Sequence, residues 1–312
     1  MWAVLSGGVG GARFAWGAAR VVPAGELTVI VNTADDLIWH GLYIAPDLDT
    51  VLYTLAGLAN PETGWGIAGD TTHALDALAR LGLATWFRVG DRDLATHLAR
   101  SEWLAGGATY TEVARRLAAA LGVAARVLPM SDQPVRTVVH TAEGDLEFQE
   151  YFVHRQAALP ITGLTFAGAE AARPTPAVFE ALAVAEGIIV APSNPFVSIG
   201  PILALPGLRQ ALRRRQAPTV AVSPIVGGKA LKGPAARMLA ELGHDVSALG
   251  VARLYADFLD GFVLDRVDAG LASQIEALGL RVLVTDTVMR TLEDREALAR
   301  QTLQFARRLA AG

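Results

Sequence analysis

The sequence predicts an α/β fold in which a doubly wound, mainly parallel sheet carries a helical insertion. Short apolar runs typical of buried strands alternate with longer helical patterns, as in a parallel sheet covered by helices on both faces. A glycine-rich stretch directly follows the first of these runs, at a position where such folds bind ligands. The 312 residues are 52% hydrophobic, which is enough to bury a large core.

The chain begins with a predicted strand and a glycine-rich turn. Trp2–Leu5 is a short apolar run, the helical pattern starts at Ala12, and Gly8, Gly10 and Gly11 lie between them. Glycine allows positive φ and close approach of a ligand, and N–H groups at a strand-to-helix turn are unpaired. The stretch therefore predicts a cradle for a phosphate. The alternative is a turn that only lets the helix pack closely on the strand.

Two known phosphate-binding loops do not fit this stretch. A dinucleotide fingerprint that starts at Gly8 requires glycine where Arg13 stands, and a P-loop requires Gly-Lys where the chain has Ala-Arg. The second strand, Leu27–Val31, ends in Asn32, where nicotinamide-binding proteins usually have Asp or Glu. We therefore expect a nucleotide site that does not bind NAD.

Two acidic turns follow the second strand. Asp35 and Asp36 lie just beyond its carboxyl end, and Asp47 and Asp49 come one loop later. Ligands of open α/β sheets bind at this edge, and carboxylates near phosphate groups are typical Mg²⁺ ligands. A second interpretation is structural, because an aspartate before a helix is often its N-cap, and Asp49 can cap a helix over residues 50–58.

Residues from about 41 to 125 form the predicted helical insertion. The pattern is helical almost throughout, and Thr109 begins a capping box ahead of the last helix. Arg88 precedes Gly90-Asp91-Arg92-Asp93, where an arginine can bind a phosphate or form a surface salt bridge. His40 and His73 can contact a ligand. We interpret the other four histidines as structural: His97, His140, His154 and His244.

The second half of the chain returns to strands. Residues 127–128, 135–140 and 146–152 are predicted strands, the last two joined by a hairpin at Glu143-Gly144. Further strands are expected at 187–191, 219–222, 261–264 and 281–284, before a helix at 292–309. No repeat or linker divides the chain, so we expect one domain over residues 1–312.

Two loops in the second half of the chain carry small polar residues directly after predicted strands. The first carries Ser193, Asn194, Ser198 and Gly200, and the second begins at Ser223. Small side chains and unpaired N–H groups suit a nucleotide base or a diphosphate. Proline-rich turns of a doubly wound sheet are the other interpretation, but three such loops favour a shared nucleotide site.

Composition excludes several classes of function. The formal net charge of −4 gives no basic surface for nucleic acid, and the absence of cysteine excludes disulfides, cysteine-ligated zinc and thiol catalysis. A strand starts at residue 2 and no apolar run has the length of a membrane span, so we expect neither a signal peptide nor a membrane helix. The cytoplasm is the expected location.

From end to end, the chain resembles the 2-phospho-L-lactate transferase family of coenzyme F420 biosynthesis. The matching stretches occur in one order: SGGVG (6–10), VNTADD (31–36), PDLDTVLY (46–53), GDRD (90–93), PMSD (129–132), PSNP (192–195), SIGP (198–201) and AVSPI (221–225). The resemblance implies a Rossmann-like core with a helical insertion, a homodimer and a Mg²⁺-dependent transferase. It also implies that a guanosine diphosphate adduct donates an organic phosphate to the deazaflavin Fo, with release of GMP.

The resemblance further implies roles for single residues. Asp49 and Arg88 contact Fo, Asp36 and Asp49 hold Mg²⁺, and Asp49 can accept the hydroxyl proton. The guanosine part is held by residues of the glycine-rich stretch and of strand ends: Gly8, Gly10, Gly11, Asn32, Ser193, Asn194, Ser198 and Gly200. The acyl group of the donor is not specified, because adducts of phospholactate, phosphoenolpyruvate and phosphoglycerate differ by few atoms.

A second function stays open: a non-catalytic regulator of the same superfamily that binds a nucleotide sugar. Such regulators also begin with Gly-Gly-x-Gly, but their acidic turn resembles Asp-Asp-Gly-Gly-Ser. This chain has Asp-Asp-Leu-Ile-Trp instead and adds Pro-Asp-Leu-Asp-Thr. These differences favour the enzyme.

Overall fold

A seven-stranded parallel sheet forms the centre of the computed structural model, which describes residues 1–311. Labels follow chain order, and across the sheet the strands are β5 (Arg126–Pro129), β2 (Leu27–Val31), β1 (Trp2–Ser6), β9 (Gly187–Val190), β10 (Thr219–Val222), β13 (Gly261–Asp265) and β14 (Arg281–Thr285). The predicted α/β class and parallel sheet are confirmed.

Helices cover both faces of this sheet because successive strand residues point to opposite sides. Trp2 and Val4 face one core, which is closed by α1 (Gly8–Val21), α2 (Pro46–Leu55), α5 (Tyr110–Ala120) and α12 (Leu292–Ala311). Ala3 and Leu5 face the other core, closed by α6 (Pro176–Ala183), α7 (Gly200–Ala204), α8 (Leu208–Arg214), α9 (Ala235–Glu241), α10 (Ala248–Tyr255) and α11 (Ala272–Glu276). The sheet is therefore doubly wound, as predicted.

The segment between β2 and β5 is mostly helical. Besides α2 and α5 it contains α3 (His73–Arg80) and α4 (Asp91–Ala105). The capping box at the start of α5 is confirmed, since Thr109 accepts a hydrogen bond from the N–H of Glu112 and the Glu112 side chain bonds back. A small hairpin of β3 (Leu37–Trp39) and β4 (Leu42–Ile44) precedes α2 and was not predicted.

A second, antiparallel sheet follows β5. Its strands lie in the order β7 (Gly144–Glu147), β6 (Arg136–Thr141) and β8 (Ile161–Ala167). The predicted hairpin is confirmed by the pairing of Thr141 with Gly144, whereas the prediction of a strand to residue 152 is wrong. The chain forms a π-helix at Glu150–His154 instead, and β8 was not predicted.

The remaining elements are short. A second π-helix spans Pro195–Ile199, a 3₁₀-helix spans Arg266–Leu271, and β11 (Ile225–Val226) pairs with β12 (Lys229–Ala230). Within residues 1–311, no helix combines the length and the apolar character that crossing a bilayer requires.

The order of strands fixes where a ligand can bind. The chain runs from β1 outward through β2 to β5, then returns to the other side of β1 at β9 and continues to β14. The helices that follow β1 and β9 therefore lie on opposite faces of the sheet, and the expected crevice is at the carboxyl ends of these two strands, the usual binding position in such sheets. Ser193, after β9, donates a hydrogen bond of 2.8 Å to the carbonyl of Gly7, after β1.

Candidate active site

A cavity of about 610 Å³ lies in this crevice. Its walls come from the start of α1, the loop after β2, the segment from α2 to α4, the first π-helix and the late loops. Seven of the residues expected to bind a ligand line it: Gly8, Gly10, Asp49, Arg88, Ser193, Asn194 and Ser198. Four do not: Gly11, Asn32, Asp36 and Gly200.

The glycine-rich stretch is the first turn of α1. The helix begins at Gly8, four residues earlier than predicted, with Gly7 as its N-cap. Gly8 has a φ of +63°, which glycine adopts without the strain that a side chain would add. Its N–H donates a 2.8 Å hydrogen bond to Asp47 Oδ1, so this N–H is engaged inside the protein.

Two of the other glycines serve close packing. A Cβ on Gly10 would collide with the carbonyl oxygen of Pro192, and one on Gly11 would collide with the hydroxyls of Ser6 and Ser193. The packing interpretation therefore holds for Gly10 and Gly11. Gly11 faces the strands rather than the cavity.

Asp47 is held by two donors. Its Oδ1 accepts from the N–H of Gly8, and its Oδ2 accepts from the Asn32 side chain at 2.9 Å. Asn32 is fully buried, and its amide also donates to the carbonyl of Val197 at 3.1 Å. Asn32 therefore orients Asp47 from behind the cavity. Asn32 itself does not line the cavity, although we expected it to contact the nucleotide.

Asp35 and Asp47 form an uncompensated acidic pair on the cavity wall. Burial raises the pKa of Asp47 to about 6, against the hydrogen bonds from Asn32 and Gly8. Burial, and then the negative charge of Asp47, raise the pKa of Asp35 well above its usual range. Within residues 1–311, neither carboxylate forms an ion pair with an arginine, lysine or histidine.

Asp36 points away from the cavity. Its Oδ2 accepts hydrogen bonds from the hydroxyls of Tyr43 at 3.0 Å and Tyr110 at 2.7 Å. The two adjacent aspartates of this turn thus face opposite sides, and Asp35 takes the position that we expected of Asp36. The expected metal pair of Asp36 and Asp49 is therefore not assembled at the cavity.

Asp49 lies inside the first turn of α2 and does not cap it. Ala45 is the N-cap, and it accepts the backbone N–H of Asp49 at 2.9 Å. The Asp49 carboxylate is buried and forms an ion pair through Oδ1 with the fully buried Arg100, while Oδ2 has no hydrogen-bond partner within residues 1–311. Burial raises the pKa of Asp49, and the charge of Arg100 opposes that rise.

A second carboxylate and a histidine complete the wall beside Asp49. Asp93 Oδ1 accepts a 2.7 Å hydrogen bond from the Tyr53 hydroxyl, and Asp93 Oδ2 lies 3.4 Å from His97 Nε2. Burial opposes ionisation of Asp93, but the hydrogen bond from His97 holds its pKa below the usual value. Arg100 lies 3.1 Å from His97 Nδ1, and because a guanidinium only donates, Nδ1 accepts and Nε2 carries the proton toward Asp93.

His97 therefore lines the cavity, a position that its interpretation as a structural histidine did not include. A sequence signal existed, because Asp93, His97 and Arg100 are spaced i, i+4 and i+7 and share one face of α4. His40 and His73, in contrast, do not line the cavity, and His40 Nε2 bonds the carbonyl of Ala84 at 2.8 Å instead.

Reciprocal capping positions the start of α4. Asp70 accepts hydrogen bonds from the N–H groups of Arg92 at 2.9 Å and Asp93 at 3.0 Å. Asp91 in turn accepts from the N–H groups of His73 at 3.0 Å and Ala74 at 2.9 Å, in the first turn of α3. These bonds fix the helix that presents Asp93 and His97 to the cavity.

Asp49, Asp93 and His97 place one ligand atom each within 4.8 Å of the others, which is metal-site spacing. Arg100, however, already pairs with Asp49 and donates to His97. A fixed positive charge in that position repels a cation, so this cluster fits substrate contact better than metal binding.

Arg88 stands beside an aromatic wall. It lines the cavity together with Trp65, Phe87, Phe148 and Phe152. The rings of Phe148 and Phe152 are stacked, with centroids 5.4 Å apart and planes 7° from parallel. This wall fits a flat fused ring, and Arg88 forms no ion pair within residues 1–311 that would prevent it from contacting one.

The first late loop packs against the start of α1. Ser193 both donates to the Gly7 carbonyl and accepts the Gly7 N–H at 3.3 Å, and Asn194 caps the second π-helix through the N–H of Phe196 at 2.9 Å. Gly200 lies behind this loop, where a Cβ would approach the carbonyl of Pro195. Ser193, Asn194 and Ser198 reach the cavity from this loop, together with Pro192 and Val197.

Comparison with known proteins assigns the family. The sequence model of the family described as 2-phospho-L-lactate transferase CofD matches residues 3–304. The chain belongs to this family. The resemblance predicted from the sequence is therefore confirmed.

Phosphoenolpyruvate transferases and 2-phospho-L-lactate transferases match this chain at similar sequence identity. The chain is 42% identical over 314 residues to a phosphoenolpyruvate transferase of Streptomyces griseus, which covers 99% of both chains. It is 40% identical over 301 residues to a 2-phospho-L-lactate transferase of Methanosarcina mazei, which covers 96% of this chain and 99% of the relative.

A crystal structure of a UPF0052 family member from Bacillus halodurans has a similar fold. Its TM-score is 0.63, and the match covers 97% of this chain and 98% of that one at 15% identity. At this identity the likeness concerns the fold alone.

Proposed function

We propose that this chain transfers a phosphate-linked three-carbon acid group from a guanosine diphosphate adduct to the ribityl hydroxyl of Fo, with release of GMP. Membership of the CofD family and the names of the two relatives support a transferase of this class. The observation that carries the proposal is one cavity that brings Asp49, Arg88 and an aromatic wall together with the Gly8 turn and the acidic pair.

The acceptor side of the proposal uses Asp49, Arg88 and the aromatic wall. Asp49 Oδ2 is buried without a hydrogen-bond partner among the described residues, whereas Arg100 fixes Oδ1. A hydroxyl of Fo can donate to that free oxygen, which orients the nucleophile toward the donor phosphorus. Asp49 can also take the hydroxyl proton, although the loose transition state of phosphoryl transfer needs little help from a base.

The donor side uses the crevice between β1 and β9. Small polar residues line the cavity there and leave room for a nucleotide: Gly8, Ser193, Asn194 and Ser198. Positioning is the main task of these residues, because the reaction requires the acceptor oxygen and the leaving oxygen in line with the phosphorus.

Mg²⁺ fits Asp35 and Asp47 better than the expected pair. Both carboxylates line the cavity beside Gly8, both have raised pKa values, and Asp35 is raised partly by Asp47. Mg²⁺ prefers carboxylate oxygens together with substrate phosphates, and it would neutralise charge on the diphosphate when bound. Asp49 is already compensated by Arg100, and Asp36 faces away.

The test is a transfer assay with purified protein, Fo, Mg²⁺ and each of the three candidate adducts, followed by mass measurement of the product. We expect one adduct to give product and GMP. Failure with all three, combined with binding of a UDP-sugar and no binding of Fo, would support the regulator instead.

A further inference from the structure

Two cationic side chains line the cavity and have no acidic partner. Arg13, on α1, donates only to the carbonyl of Met289 at 3.3 Å. Lys232, on the loop after β12, donates to the carbonyls of Thr63 at 2.9 Å and Glu62 at 3.3 Å. Neither forms an ion pair within residues 1–311.

Positive charge accumulates around Arg13. Burial lowers the pKa of Lys232, and the charge of Arg13 lowers it further. The same two causes, in the same order, lower the pKa of Arg295. Arg13 therefore repels both Lys232 and Arg295, and an anion from outside the chain would relieve this repulsion.

The cavity is therefore divided by charge. Asp35, Asp47 and Asp49 carry its acidic charge, and Arg13, on the same helix as Gly10, and Lys232 carry its basic charge. This charge distribution suits a diphosphate adduct, because the phosphates can pair with the cations of Arg13 and Lys232. Carbonyl groups are weaker partners for lysine than phosphate, so a bound phosphate can displace those of residues 62 and 63.

We propose that Arg13 and Lys232 bind the phosphate groups of the nucleotide donor and stabilise the charge on the departing nucleotide phosphate. This inference rests on the proposed function. The acceptor oxygen forms a bond to the phosphorus that carries the acid group, and the bond from that phosphorus to the bridging oxygen breaks. The bridging oxygen keeps the electron pair and leaves on GMP, and the acceptor proton passes to Asp49 or water. The extra negative charge develops on the nucleotide phosphate.

The test compares Lys232→Met and Arg13→Met with Lys229→Met. Lys229 is an exposed lysine on β12, three residues before Lys232, and does not line the cavity, so it is a matched control. Calorimetric titrations use GDP, guanosine and inorganic pyrophosphate. We expect each of the first two variants to lose at least about tenfold in affinity for GDP and pyrophosphate, with guanosine unchanged. Lys229→Met keeps wild-type affinities, and Lys232→Arg recovers most of the loss.

Failure of the subsite and failure of the proposed function give different results. If the wild-type protein transfers the group to Fo and both variants keep full affinity for GDP, the subsite is wrong and the function stands. If pyrophosphate binding depends on Arg13 and Lys232 in a protein that transfers nothing to Fo, the subsite stands and the function is wrong. Lys232 lies on a loop, so its variant tests the proposal even if Arg13→Met does not fold.

Discussion

Asp49, which we propose to contact the acceptor, also has a role in the protein interior. Its carboxylate is the ion-pair partner of Arg100, which has no exposed surface. Removing one member of a buried pair leaves the other charge uncompensated, which typically costs about 3–5 kcal/mol. Loss of activity on mutation therefore has two possible causes that must be separated.

We expect Asp49→Asn to abolish most transfer, and both Asp49→Asn and Asp49→Ala to lower the free energy of unfolding by about 3 kcal/mol, because each leaves the charge of Arg100 uncompensated. Turnover and urea unfolding measured on the same samples separate the two effects. Normal turnover of Asp49→Asn would contradict a role for the carboxylate in transfer.

Arg88 is expected to act on the acceptor. Because it stands at the aromatic wall, Arg88→Ala should raise the KM for Fo by about tenfold, the cost of one charge-assisted contact, and leave GDP affinity unchanged. Steady-state kinetics with varied Fo and GDP titration check this. A large loss of GDP affinity would assign Arg88 to the donor instead.

Asp47 predicts a pH dependence of stability. Its pKa rises from 3.8 to about 6 on folding, so the folded protein binds this proton more tightly than the unfolded chain does. The contribution of Asp47 to the free energy of unfolding should therefore fall as pH rises from about 4 to about 6, by roughly 2 kcal/mol. Asp47→Asn should remove this decline, and the exposed Glu102→Gln should not.

Mg²⁺ provides a second readout of the same residue. At pH 7.5 we expect Mg²⁺ to raise the melting temperature of the wild-type protein by mass action, and to leave that of Asp47→Asn unchanged. An equal rise in both proteins would place the cation elsewhere.

Single residues show how far the sequence could predict the site. Asp49 and Arg88 were expected from the family resemblance, and both line the cavity. The turn that holds Asp35 and Asp36 is irregular, and no periodicity indicates which of the two side chains faces the ligand. The spacing of Asp93, His97 and Arg100 on α4 indicated a shared helix face, but only the fold shows that Asp49 lies against that face.

At the scale of elements, the junction between α1 and the loop after β9 is the tightest part of the site. Gly10 has an ordinary negative φ but no room for a Cβ, because the Pro192 carbonyl lies against it. A bulky side chain at position 10 therefore affects stability before it affects a ligand.

We expect Gly10→Ala to destabilise the protein by about 1–3 kcal/mol through overpacking. Gly270→Ala is the control, because a Cβ there meets nothing within 4 Å. Thermal unfolding without ligand measures both. Equal melting temperatures for the two variants would show that the loop moves aside and that Gly10 is free to serve the ligand alone.

The prediction of elements failed where polar and apolar patterns were ambiguous. Tyr151, Phe152 and Val153 form an apolar run that looks like a strand, yet they lie in the π-helix at Glu150–His154, which presents Phe152 and Val153 to the cavity. The β3–β4 hairpin was missed because each strand has only three residues.

At the scale of the molecule, the strand order could not be read from the sequence. Alternation of apolar runs and helices predicted a parallel sheet, and all seven of its strands were located. Which strand lies beside which depends on contacts far apart in the chain. The single domain, the homodimer and the cytoplasmic location stay predictions, and light scattering of the purified protein would measure the oligomeric state.

The central position of β1 has a consequence for synthesis. On one side it pairs with β2, which leaves the ribosome soon after it, but on the other side Trp2 pairs with Gly187 and Leu5 with Val190. Until more than half of the chain has been made, the nascent sheet presents a long apolar edge and lacks one wall of its crevice. The edge of β1 is therefore open to non-native pairing over that interval, and the crevice is complete only once β9 has been made.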